Sequence, residues 1–116
     1  MTCFWDALRS KLNIKSNNEE FIIYLKKNNK KPTNVICNNE TITDKQLDEN
    51  FIHIRDFNEK KINNGYDCST FDPFLILICE LYNVSINHNF LDINIKYEKK
   101  NSIKILNFKS NKGHFW

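Results

Sequence analysis

Asp72-Pro73-Phe74-Leu75-Ile76-Leu77-Ile78-Cys79-Glu80-Leu81-Tyr82-Asn83-Val84-Ser85-Ile86 holds the change of period that decides the fold. Asp72 before Pro73 puts an N-cap ahead of a proline at the first helical position, where a missing N–H is harmless. From Pro73 to about Tyr82 apolar side chains stand on nearly all sides of the predicted helix, so it is central and covered on both sides. From Val84 the period becomes two. Val84 and Ile86 alternate with polar residues, then Ile93, Ile95 and Tyr97, then Ile103, Ile105 and Asn107. Glu98 to Asn101 reads as a hairpin loop between the last two runs.

Upstream of this stretch, Asn63-Asn64-Gly65 is a turn. Thr43-Asp44-Lys45-Gln46 is a capping-box pattern, followed by Leu47, Phe51 and Ile54 at helical spacing. Ser16-Asn17-Asn18-Glu19 is another, opening a helix that turns Phe21, Ile22 and Leu25 inward and ends between Asn28 and Pro32. Thr2 caps a helix starting at Cys3, with Phe4, Ala7, Leu8 and Leu12 on one face. Helices first and strands last predict an α+β fold. N-terminal helices and a central buried helix pack on a small, mainly antiparallel C-terminal sheet. No repeat or Pro/Ser-rich linker divides the chain, so residues 1–116 are read as a single domain.

With 41% hydrophobic and 13% aromatic residues, the chain is no disordered tail. Its longest apolar run, Phe74 to Cys79, is too short for a transmembrane helix, and no signal-peptide pattern opens it, so no membrane association is expected. A net charge of +3, carried mostly by Lys, suits solubility. No Arg cluster or reader motif points to nucleic acid. The spacing of Cys3, Cys37, Cys68 and Cys79 fits neither a CxxC pair nor a zinc site, so no metal or cofactor is expected. Free thiols in a reducing, cytoplasmic compartment are the expectation.

A free thiol raises the question of a catalytic one. Cys3 starts a helix, and the positive dipole end and unpaired N–H groups of a helix N-terminus favour a thiolate. Thiol acyl transfer also needs a histidine and an oxyanion hole. His53 lies on a polar helix surface and His88 ends the first strand. His114 follows Gly113 in a final short strand, with Phe115 and Trp116 walling one imidazole face and leaving the other open. A lone cysteine near a terminus is more often a small hydrophobe, and a strand histidine a satisfied core or surface residue.

Cys3-Phe4-Trp5-Asp6-Ala7-Leu8 resembles the nucleophile motif of ovarian-tumour-type (OTU) cysteine proteases: Cys, Leu or Phe, an aromatic, any residue, Ser or Ala, an aliphatic. Gly65-Tyr66-Asp67-Cys68-Ser69, the apolar run from Phe74 to Leu81 and Asn83-Val84-Ser85-Ile86 resemble the family's middle, a turn, a buried helix and a short strand. Gly113-His114-Phe115 resembles its terminal motif, above all in compact viral members. The order is the family's throughout the chain.

The resemblance implies a thiol protease cutting after the C-terminal Gly-Gly of ubiquitin or a ubiquitin-like modifier, or processing a viral polyprotein. The enzyme would act as a monomer in the (host) cytoplasm. By position, Cys3 would be the nucleophile and His114 the general base, then acid. Gly113 would let a substrate backbone pass, and Phe115 and Trp116 would wall its channel. Met1-Thr2 stands where the family carries Asp-Gly-Asn, and Trp116 where it commonly has Asn or Asp. Asp6 or Asn111 is then the side chain expected to complete the oxyanion hole or orient the ring, unless activity is weak or lost. Two other classes fit the same residues: an inactive version of the fold that binds ubiquitin or a host factor, and a papain-like viral leader protease. The latter would carry Trp directly after Cys, where Phe4 stands.

Overall fold

The computed structural model describes residues 2–66 and 68–116; Met1 and Asp67, the latter in the middle motif, lie outside the described residues. Along the chain run α1 (Cys3–Leu12), α2 (Asn18–Lys27), β1 (Val35–Cys37), β2 (Glu40–Thr41), α3 (Asp44–Asp56), a 3-10 segment (Glu59–Asn64), α4 (Pro73–Tyr82), β3 (Val84–Phe90), β4 (Ile93–Lys99), β5 (Lys104–Asn111) and β6 (His114–Phe115). The fold is α+β, with the helices packed on a small mixed sheet of order β2-β1-β4-β3-β5-β6. No helix among the described residues is long and apolar enough to cross a membrane.

Local chemistry explains the helix ends. Asp72 Oδ1 accepts from the backbone N–H of Phe74 at 2.9 Å and of Leu75 at 3.2 Å, and Asn83 closes α4 with φ 54°. Phe74 to Cys79 are all buried, and α4 packs against α3, β1, β3 and β4, the central position its pattern predicts. Thr43 and Gln46 form the expected capping box of α3. The α2 box sits one residue later than the sequence suggests. Asn17, extended at ψ 175°, is the cap, and Glu20 rather than Glu19 closes the box. Thr2 is the N-cap of α1 by position, but its hydroxyl donates to Asp6 Oδ2 at 2.8 Å instead of receiving a backbone N–H.

The sheet corrects two expectations. The loop after Glu98 closes no hairpin, because β4 and β5 lie on opposite sides of β3. β3 and β5 are parallel, so the chain crosses over, and Ile103 N–H donates to the Asn83 carbonyl at 2.9 Å. The inward row of β5 is also the opposite one. Leu106, Phe108 and Ser110 face the helices, while Ile103 and Ile105 are 74% and 59% exposed. The register pairs Ile86 with Leu106 and His88 with Phe108, which fixes the shared face. The outer face is asparagine-rich, with Asn87 bonded to Asn107 at 3.2 Å and Asn89 to Asn94 at 2.9 Å.

Trp5 is fully buried and organises the corner where the candidate site lies. Its ring lies 4.8 Å from Phe4, 4.9 Å from Phe74 and 5.4 Å from Tyr66. Phe4 in turn lies 4.5 Å from Tyr66 and 4.9 Å from Phe115. Such pairs contribute about 1 kcal/mol each beyond area burial. They dock the first turn of α1 onto both the loop before α4 and β6.

Candidate functional site

That docking leaves a cleft of about 410 Å³. α1 contributes Cys3 and Phe4, the loop after the 3-10 segment contributes Gly65, Tyr66 and Cys68, and β3 contributes Phe90. The β5–β6 hairpin closes it with Ser110 through Phe115. Gly65 has φ 88°, a conformation that favours glycine.

Cys3 and His114, far apart in sequence, line this one cleft. Cys3 is half-buried at the start of α1, and His114 is exposed at the start of β6, the edge strand. Gly113 and Phe115 also line the cleft, and Phe115 is buried as well, packed 5.1 Å from Phe108. A Cβ on Gly113 would meet nothing within 4 Å, so the space above it is open. Asn111 lines the cleft, and its Oδ1 accepts from Gly113 N–H at 2.9 Å, shaping the turn that presents His114.

Two expected site residues lie elsewhere. Asp6 does not line the cleft; its exposed carboxylate is engaged by Thr2 at 2.8 Å, Asn18 at 2.9 Å and Arg9 at 3.5 Å. Trp116 does not wall the cleft either. It stacks on the His114 ring at 5.0 Å and exchanges two 2.8 Å backbone hydrogen bonds with Lys109.

Among the described residues the thiol–imidazole contact is a different pair: Cys68 Sγ lies 3.9 Å from His88 Nδ1. His88 Nε2 lies 2.6 Å from Ser110 Oγ. His88 is buried inside β3 rather than ending it, and burial holds its pKa below the usual histidine value. Burial, reinforced by the Asp72 carboxylate, pushes the Cys68 thiol well up. The signal for His88 was the period of two, since Val84, Ile86 and His88 share one face. No sequence signal pairs Cys68 with it.

Behind the cleft, Asp72 Oδ2 accepts from Tyr66 Oη at 2.8 Å and from Ser69 N–H at 3.2 Å. Asp72 N–H donates to Tyr97 Oη at 3.0 Å. Complete burial pushes the Asp72 carboxyl up against the opposing pull of these donors and those of α4. This network holds Tyr66 and Ser69 onto the start of α4. No family model, curated protein or solved structure matches the chain.

Proposed function

We propose that the chain is a compact OTU-like cysteine protease acting on the carbonyl after the C-terminal Gly-Gly of ubiquitin or a related modifier. The observation that carries this reading is the single cleft lined by both Cys3, at a helix N-terminus, and His114, on an open edge strand. The Cys3 thiolate, its proton taken by His114, adds to the carbonyl carbon. The C–N bond then breaks as the leaving amine takes that proton from the ring. Water, deprotonated by the same ring, releases the acyl group and restores the thiol. The open space over Gly113 suits an extended glycine backbone.

A ubiquitin bearing a C-terminal electrophile tests this reading. It is expected to label the wild type and not Cys3→Ala. No labelling at micromolar probe, with no cleavage of a Gly-Gly isopeptide substrate, overturns it.

A second reading is favoured by the stacking of Trp116 on His114. It is a ubiquitin-binding module that keeps the fold without the catalysis. It predicts measurable ubiquitin affinity that survives both Cys3→Ala and His114→Ala, with no labelling of the wild type.

A further inference from the structure

The cleft contains a second polar system that the mechanism above does not use. Cys68, His88 and Ser110 form a row across three segments: Sγ to Nδ1 is 3.9 Å, and Nε2 to Oγ is 2.6 Å. Cys68 and Ser110 line the cleft, while His88, 1% exposed, does not. The imidazole is thus behind the cleft wall, with one polar side-chain neighbour at each nitrogen among the described residues.

Proton counting assigns the direction of the row. A neutral imidazole has one N–H and one lone pair, and a hydroxyl has one proton and two lone pairs. Burial keeps the ring neutral and the thiol protonated. Two arrangements satisfy these numbers. In one, Nε2–H donates to Ser110 Oγ and the Nδ1 lone pair faces the thiol. In the other, Ser110 donates to Nε2 and Nδ1–H has only a distant sulfur. A buried N–H left with so weak an acceptor is costly, whereas an S–H is a weak donor and tolerates weak pairing. The Cys68 thiol also has the Ser69 carbonyl at 3.6 Å. The first arrangement is therefore the favoured one, and it leaves the Ser110 proton uncommitted among the described residues.

We propose that the row Cys68–His88–Ser110 presents the Ser110 hydroxyl as a hydrogen-bond donor into the cleft, where it receives a carbonyl oxygen of an extended peptide. His88 is the positioning residue: it occupies a lone pair of Oγ and turns the proton away from itself. The apolar walls supplied by Phe4, Tyr66, Phe90 and Phe115 suit a neutral acceptor, with Lys112 the one ammonium group on the lining among the described residues. Gly65 and Gly113 add no side chain to the walls that flank such a backbone. The choice of a peptide carbonyl rests on the protease reading above; the direction of the row does not.

Nitrogen-15 NMR of the His88 ring tests the direction without any activity. The expected spectrum has Nε2 protonated and Nδ1 bare, and the reverse tautomer overturns the proposal. Kinetics on a ubiquitin C-terminal amide substrate test the donor. Ser110→Ala is expected to lower kcat/KM by about tenfold or more. Ser110→Thr, which restores a hydroxyl, should recover most of it, and alkylation of Cys3 by iodoacetamide should be unchanged. A wild type that is active while Ser110→Ala keeps full kcat/KM overturns the donor role and leaves the protease reading standing. A wild type inert to both probe and substrate removes the peptide carbonyl and overturns the proposal together with that reading.

Discussion

Asp72 shows how much one side chain organises near the cleft. It caps α4, receives Tyr66 and Ser69, and is fully buried. Asp72→Ala leaves several buried donors without an acceptor, at about 3 kcal/mol in all. Asp72→Asn keeps one acceptor oxygen for α4 and should cost less. Urea unfolding at constant m-value checks both, and equal losses would contradict this account. Trp5 gives a contrasting case, because its indole N–H has no partner among the described residues. Trp5→Phe forfeits volume but no hydrogen bond, so it should cost about 1–2 kcal/mol, against about 3–5 kcal/mol for Trp5→Ala. The midpoint shifts of the two variants decide. Asp72 was readable as a cap because capping acts within three residues of the cap. Its bonds to Tyr66 and Tyr97 were not, because they join separate segments.

At the scale of elements, β5 is the instructive strand. Ile103 and Ile105 form one period-two row, and Leu106 and Phe108 the other. Sequence periodicity cannot choose between two rows that each carry two consecutive apolar residues. Parallel pairing with β3 chooses, by setting Leu106 beside Ile86 and Phe108 beside His88. Leu106→Ala should therefore cost about 2–5 kcal/mol, and Ile105→Thr no more than about 0.5 kcal/mol. The opposite order of the two costs, by thermal or urea unfolding, would restore the inward row expected from sequence. The α2 cap failed by one residue for a related reason. Ser16, Asn17 and Asn18 are all good capping types, and only the extended backbone at Asn17 selects among them.

For the whole molecule, buried His88 links stability to pH. Its folded pKa lies below the unfolded value of about 6.5, so the unfolded chain takes up the proton first as pH falls. Its contribution is complete above about pH 6.5 and declines as pH drops toward the folded pKa. Between pH 7.5 and 5.5 the wild type should lose more unfolding free energy than His88→Gln, which has no such group. Equal losses in the two proteins would remove His88 as the source.

The helices, the caps at Thr43 and Asp72, the α+β class and the place of Cys3 at a helix start were legible in the chain alone. All of these rest on neighbours a few residues apart, where spacing and side-chain type carry the physics. The crossover to β5, the face it buries and the row from Cys68 through His88 to Ser110 came from packing between distant segments. Tertiary packing also set Cys3 and His114 on one cleft, through Phe4 against Phe115 and Tyr66. Strand partners and aromatic packing join distant segments, and which face a residue shows follows from what it is packed against.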